Sequence, residues 1–348
     1  MPQYIGVDLH KATSMITRMD QRGRILEQVQ LRTDASSLGG YLRRVSPETR
    51  IAVEATGNWV YLYELIEDRC PALVLAHPLK TKAIASARIK TDKIDATTLA
   101  HLLRADLLPA AYIPPRPVRD TRERLRYRAS LVRLRTQIKN KVQAILMKNG
   151  IRTPTQDAFG KKARRFLAEV PVRPCYRLAL DGYLRLLEAL TAELATVTAT
   201  IEAQVQQDPQ AQLLCTMPGI GPYSALLILS EIGDVRRFPD SRRLCSYAGL
   251  VPSVYASGGK TRRGRLTKQG SKWLRWILVE AATHAINGAP QFRSLYHRVA
   301  QKHGRNTGRV AVARAMLKAI YAMLRKGEAF RPMDRRSTGQ RRGVMATA

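Results

Sequence analysis

The chain has 348 residues, with 59 Lys+Arg against 27 Asp+Glu and a formal net charge of +32. That length supports two or three domains, each with its own core. No stretch approaches the ~18 uncharged apolar residues of a membrane-spanning helix, and the start "MPQYIGVDLHK" lacks a signal-peptide profile, so a soluble cytoplasmic protein without a membrane partner is expected.

The charge is segregated. Residues 1–115 carry 15 Lys+Arg against 12 Asp+Glu, and residues 176–256 carry 6 against 8. Residues 116–175 instead carry 17 against 4, and residues 257–348 carry 21 against 3. A solubility device would spread its charge, whereas two cationic blocks beside balanced parts point to a polyanion, and nucleic acid is the expected partner. Arg dominates, and its planar fork suits phosphate. A membrane surface fits less well, because no long basic amphipathic helix carries a Trp/Phe face. Cys70, Cys175, Cys215 and Cys245 are far apart, without a C-x-x-C pair or nearby His pair, which argues against zinc and predicts buried, reduced thiols.

In chain order, Tyr4–Leu9, Ser14–Met19 and Ile25–Leu31 read as three strands, the last two joined by a turn at Gln21-Arg22-Gly23. A short helix over Ser36–Val45 leads to "RIAVEATGN", a buried strand ending at Glu54. Helices at about 59–69 and 78–88 flank the strand "ALVLA". A further helix begins after Thr91, an N-cap candidate. Strands alternating with helices after a meander imply a mixed α/β sheet. "PAAYIPPRPV", with four prolines, marks a boundary.

From Arg119 to Lys148 the chain reads as a basic helix with Leu131, Leu134, Ile138, Val142 and Ile145 on one stripe. A Pro- and Gly-punctuated stretch, 150–174, follows. Tyr183, Leu187, Leu190, Leu194, Val197 and Ile201 then recur at spacings of four and three, a coiled-coil seam. Either an intrachain hairpin with the basic helix or a dimer contact would fill it. "LLCTMPGIGPYSALLILSEIGDVRRF" reads as helix, Pro-Gly-Ile-Gly turn, helix. A Gly- and Lys/Arg-rich loop then runs into an apolar helix, with Ser271 as its N-cap. Residues from 332 read as a disordered basic tail.

The carboxylates of the first part carry the chemistry. Asp8 lies inside a buried strand, which seldom holds an unpaired acid. Glu54 ends another strand, and Asp92 and Asp95 share one helix face at i and i+3. Asp92 and Asp95 alone would also suit the helix dipole. Four acids converging at one sheet edge repel one another, and a hard divalent cation offsets this. Mg²⁺ is the expected cofactor, serving phosphodiester exchange with Lys90 and Lys93 nearby.

The order "IGVD", "VEATG", "RIKTDKIDA", with the later "MPGIG", "SYAGLVP" and "YASGG…RGRLTKQGSKWLR", resembles the DEDD transposases of the insertion sequence 110 family, including its 1111 subgroup, which are bridge-RNA-guided recombinases. The likeness spans nearly the whole chain. It implies a RuvC-like, ribonuclease-H-type domain over 1–115, with Asp8, Glu54, Asp92 and Asp95 matching the metal ligands. It further implies a basic helical and coiled-coil region over 116–208, a mostly helical transposase domain over 209–331 and a basic tail over 332–348. Ser257, in "VYASGGKT", matches the family's nucleophile. Gly258 and Gly259 let backbone approach phosphate, and Lys260, Arg262, Arg263, Arg265 and Lys268 supply positive charge. The "MPGIG" turn resembles a helix-hairpin-helix, in which the Gly219 and Gly221 amides receive a phosphate; a tight turn without a ligand is the alternative. Tyr223, Trp273 and Trp276 are either base-stacking or core residues.

The resemblance implies cut-and-rejoin strand exchange between donor and target DNA through a phosphoserine intermediate. It also implies a structured noncoding guide RNA, and a dimer or a dimer of dimers on the host nucleoid. The alternatives are a RuvC-like Holliday-junction nuclease that needs no serine, a site-specific invertase without guide RNA, and a noncatalytic nucleic-acid scaffold.

Overall fold

A computed structural model describes residues 2–67, 73–85 and 91–332, the side chain of Arg263 excepted. The chain divides after Pro114 into two compact units. Lys90, Cys70 and residues 333–348 lie outside the described residues.

The first unit opens with β1 (Tyr4–Leu9), β2 (Thr13–Met19) and β3 (Ile25–Arg32), an antiparallel meander. Its second turn holds Gly23 at φ +83°, a conformation glycine reaches without a Cβ penalty. The helix expected over 36–45 is instead a π-helical turn, Ala35–Gly39, running into a short α1 (Gly40–Arg44). Asp34 caps this turn, its Oδ1 accepting from Ser37 N at 2.7 Å. Then come β4 (Arg50–Glu54), α2 (Trp59–Ile66), β5 (Leu73–Ala76), α3 (Pro78–Ile84) and α4 (Asp92–Arg104). The sheet order is β3-β2-β1-β4-β5, with β1 parallel to β4 and β4 parallel to β5.

Strand parity sorts this sheet into two layers. Ile5, Val7, Leu9, Ile51, Val53, Leu73 and Leu75 join Leu38, Leu42, Leu62 and Ile66 in one cluster. Ala52 and Ala76 meet Leu99 and Leu103 of α4 in another. Burying each of the Val, Leu and Ile side chains contributes about 1.5–3 kcal/mol. The other residues of β1, Tyr4, Gly6 and Asp8, therefore sit on the α4 side.

The second unit holds α5 (Arg116–Lys148), α6 (Lys161–Glu169), α7 (Pro174–Gln207), α8 (Pro209–Cys215), α9 (Pro222–Ile232), a 3₁₀ turn (Val235–Arg237) and α10 (Ser241–Tyr247). A two-stranded ribbon, β6 (Pro252–Ser257) and β7 (Lys260–Leu266), precedes α11 (Lys272–Gly288), α12 (Pro290–His303) and α13 (Arg305–Lys326). The α7 seam is filled within the chain. Leu180 and Leu187 cluster with Val142 and Ile145 of α5, and Leu194, Val197 and Ile201 cluster with Leu125 and Leu131. The helices therefore run antiparallel, and Arg124 Nη1 donates to Gln204 Oε1 at 2.7 Å across them. The same core continues past residue 209 into α8 to α13.

Three further expectations need correction. The stretch 150–174 contains a helix, α6, whose Ala163 and Leu167 are buried beneath an otherwise cationic face. The Gly- and Arg-rich loop is a β-ribbon, because Gly258 and Gly259 at φ +55° and +75° form a two-residue turn that matches strand twist. Finally, Cys245 is buried but Cys175 is exposed.

Candidate catalytic site

The acidic site is assembled by one close approach. Gly6 lies beneath α4. A Cβ there would stand 2.7 Å from Ala100 N and 3.0 Å from Ala96 C, and closer still to Ala96 O. Only the missing side chain lets the helix backbone rest on β1. Asp8 follows two residues later on the same side, so the first turn of α4, with Asp92 and Asp95, reaches Asp8.

The start of α4 is fixed by Thr91, whose Oγ1 accepts from Ile94 N at 3.3 Å. Thr97, one turn on, ties the helix to the sheet: its Oγ1 lies 3.1 Å from Thr17 Oγ1 and accepts from Gln28 Nε2 at 3.0 Å. Glu54 ends β4, the parallel neighbour of β1. Asp8, Glu54 and Asp95 line one cavity of about 360 Å³, together with Thr81 and Lys82. Asp92 is joined to Asp8 through His10. The His10 Nε2 lies 3.3 Å from Asp8 Oδ2 and 3.5 Å from Asp92 Oδ1. One ligand atom from each of Asp8, His10 and Asp92 falls within 4.8 Å of the others.

Asp8 is 8% exposed. Burial pushes its carboxyl above the usual carboxylate range; His10 opposes this, while Asp92 and Asp95 add to it. A charged carboxylate held in low dielectric beside two more acids fits a hard divalent cation, whose charge would reverse that penalty. Carboxylate oxygens are the donors such an ion selects, and among the described residues the atoms close enough to share one belong to Asp8, Asp92 and His10.

His10 was missed in the sequence reading. The signal was present, since it stands two residues beyond Asp8. Its placement depends on distant partners: its carbonyl accepts from Asn58 Nδ2 at 3.1 Å and Thr33 Oγ1 at 2.9 Å, and its N–H donates to Thr13 O at 3.2 Å.

The remaining candidates lie in the second unit. Ser257 ends β6 directly opposite Lys260, and both are exposed. Arg262, Arg265 and Lys268 are exposed as well, and Arg263 contributes its backbone to β7. Gly219 has a packing reason for being glycine. Its φ is +88°, and a Cβ there would stand 2.9 Å from Ala285 N and closer to Ala281 O of α11. Gly221, the N-cap of α9, is open to solvent. Tyr223 is tied inward, its hydroxyl donating to Leu125 O at 3.3 Å beneath the Arg128 guanidinium. Trp273 packs against the core, and Trp276 is exposed.

Ser271 caps α11, accepting from Leu274 N at 3.0 Å. It also donates to Glu231 Oε2 at 2.8 Å. Glu231 is 4% exposed and takes Arg126 Nη2 at 3.4 Å and Arg122 Nε at 3.7 Å. This buried hub accounts for Ser271 as a structural residue.

Two family models match these regions. One, described as a DEDD transposase of the IS110 type, covers residues 5–149 and so holds all four acids. The other, the transposase IS116/IS110/IS902 family, covers residues 211–297, which include the Gly219 turn and the ribbon. The chain belongs to the IS110 family of transposases. Several relatives share the likeness over most of their length. A probable family 20 transposase of Pseudomonas aeruginosa is 27% identical over 94% of this chain and 98% of its own length. The transposase for insertion sequence element IS1111A of Coxiella burnetii is 24% identical over 94% and 91%. The transposase for IS1328 of Yersinia enterocolitica is 26% identical over 80% and 82%. Transposases of this family act on DNA. Among the described residues no helix is long and apolar enough to cross a membrane.

Proposed function

We propose that this IS110-family transposase exchanges DNA strands through a Mg²⁺-bearing acidic site and a serine nucleophile. The observation that carries the reading is the gathering of Asp8, Glu54 and Asp95 around one cavity, with Asp92 joined to Asp8 through His10. The strand order β3-β2-β1-β4-β5, with acids on the two central parallel strands and on the helix crossing them, supports a RuvC-like, ribonuclease-H-type domain. Bound Mg²⁺ would supply charge neutralisation at the phosphodiester.

The chain's own residues do the rest. Asp8, Glu54, Asp92 and Asp95 would hold the ion. Ser257 Oγ forms a bond to the scissile phosphorus as the bond to the departing DNA oxygen breaks; the serine proton is released and the departing oxygen takes one up. Attack by a hydroxyl of the incoming strand reverses this and frees Ser257, so the joined strand conserves its phosphodiester energy. Lys260, opposite the serine, and Arg262 face the charge that develops on phosphorus.

In this reading donor and target are brought together by a structured noncoding RNA that pairs with both. The cationic blocks of 17 Lys+Arg over 116–175 and 21 over 257–348 grip backbone rather than read bases. Two duplexes require at least a dimer, and a dimer of dimers supplies one serine for each strand exchanged. The place of action is the bacterial nucleoid.

Labelled junction DNA incubated with protein and Mg²⁺, then denatured, tests the serine. Label remaining on the protein, and lost in Ser257→Ala, is the expected result. A Ser257→Ala protein that still cleaves would instead identify a resolvase that uses water. Sequencing the nucleic acid that copurifies with the protein tests guidance: a discrete RNA encoded beside the gene is expected, and random cellular RNA refutes it.

A further inference from the structure

Strand register sorts the β6–β7 ribbon into two faces. Tyr255 pairs with Arg262 and Ser257 pairs with Lys260. Directly opposed residues share a face, as do residues two apart along a strand. One face therefore gathers Tyr255, Ser257, Lys260 and Arg262, and the register assigns Val254, Ala256, Thr261 and Arg263 to the other.

The phenol is unusually open. Tyr255 is 69% exposed, on a two-stranded ribbon of a kind that is marginally stable by itself. Its ring is nevertheless seated. Gly264 lies across the ribbon, where a Cβ would stand 3.4 Å from Tyr255 Cε2 and closer still to Ser253 Oγ. The missing side chain gives the ring a place against the strand while leaving most of it in solvent. An aromatic surface so placed, flanked by Arg262 and Lys260, is the combination that holds single-stranded nucleic acid: a stacking face for a base between cations for its phosphates. Along the strand Tyr255 and Ser257 are separated by about 6.7 Å, a reach comparable to one nucleotide step of an extended strand.

We propose that Tyr255 is a base-stacking platform that positions the nucleotide flanking the scissile phosphate, setting that phosphate over Ser257 while Lys260 and Arg262 hold the backbone. This rests on Ser257 being the nucleophile. Stacking is tolerant of sequence because every base has a π-face, so Tyr255 sets position and leaves sequence choice to pairing elsewhere.

The test uses the full-length protein and oligonucleotides spanning the junction between element end and flanking DNA, with 2-aminopurine placed in turn at positions around the exchange point. Fluorescence quenching reports stacking without turnover. Tyr255→Phe and Tyr255→Trp keep a π-face and retain the quenching. Tyr255→Leu keeps an apolar side chain over Gly264 but has no π-face. It loses the quenching and raises KM for strand transfer roughly ten- to a hundred-fold, with a smaller change in kcat and an unchanged melting curve.

Quenching that survives in Tyr255→Leu overturns the platform. So does loss of strand transfer in Tyr255→Phe, which would make the phenol oxygen the working group. Ser257→Ala separates this proposal from the reading beneath it: that variant retains quenching and forms no covalent adduct. If it still forms the adduct, the serine reading fails and the positioning of DNA over Ser257 fails with it, while the stacking measurement still reports on the ring alone.

Discussion

Replacing Gly6 with Ala probes whether the acidic site depends on the seating of α4. No charged group is touched. The new methyl would stand 2.7 Å from Ala100 N and closer still to Ala96 O, both backbone atoms of α4 that no rotamer change can move. The helix must retreat by about 1 Å to restore an ordinary contact, and overpacking of this kind costs about 1–3 kcal/mol. Asp92 and Asp95 ride on the same helix, within about one turn of Ala96, so they move away from Asp8 with it. A misplacement of about 1 Å among groups that hold a reacting phosphate lowers rate by roughly a hundred-fold. The assay pairs urea unfolding with single-turnover cleavage of junction DNA across a Mg²⁺ titration. The expected outcome is a folded protein, destabilised by this modest amount, that needs more Mg²⁺ and cleaves about a hundred-fold more slowly. Wild-type cleavage and wild-type stability in Gly6→Ala would refute the argument that the close approach positions the acids.

Other outcomes follow from the same geometry. Asp8 has its folded pKa raised, chiefly by burial. In chelator the wild type therefore loses stability relative to Asp8→Asn as pH rises from the unfolded carboxylate value through the raised folded one, and the deficit persists at neutral pH. Thermal melts from pH 3 to 8 check this, and parallel curves would contradict it; added Mg²⁺ should raise the wild-type Tm alone. Glu231→Ala removes the acceptor shared by Arg122, Arg126 and Ser271. Arg122 keeps the Ser230 and Glu231 backbone carbonyls and Arg126 keeps Glu123, so the loss of the buried acceptor costs about 1–3 kcal/mol, readable as a shift in urea midpoint. Gly219→Ala forces a side chain toward Ala281 O at positive φ and is expected to destabilise by about 1–3 kcal/mol. Gly221→Ala meets open space and should leave stability nearly unchanged. If Gly219→Ala melts like wild type and only DNA affinity falls, its role is phosphate binding and the packing account is wrong.

Local rules made much of this chain legible. Alternating apolar residues marked β1 to β3 to within a residue or two, and Thr91 and Ser271 announced the starts of α4 and α11 because a cap bonds to an amide only three residues away. Segregated charge and four acids in strand-end and helix-start positions pointed to a phosphate-handling enzyme. The β-ribbon was hidden because β7 carries Lys or Arg at four of its seven positions, a composition that reads as loop; only pairing across the Gly258-Gly259 turn reveals that Tyr255, Ser257, Lys260 and Arg262 share a side.

By itself, then, the sequence determined most of the elements of the first unit, the long helices of the second and the placement of charge, since these follow from interactions a few residues long. Only the tertiary structure decided that α4 rests on Gly6, that His10 stands between Asp8 and Asp92, that α5 fills the α7 seam and that Glu231 gathers two arginines and a serine. Each of these joins residues some 40 to 150 positions apart or depends on such a pairing. Such contacts depend on how layers stack and how close two backbones come, which no spacing along the chain encodes.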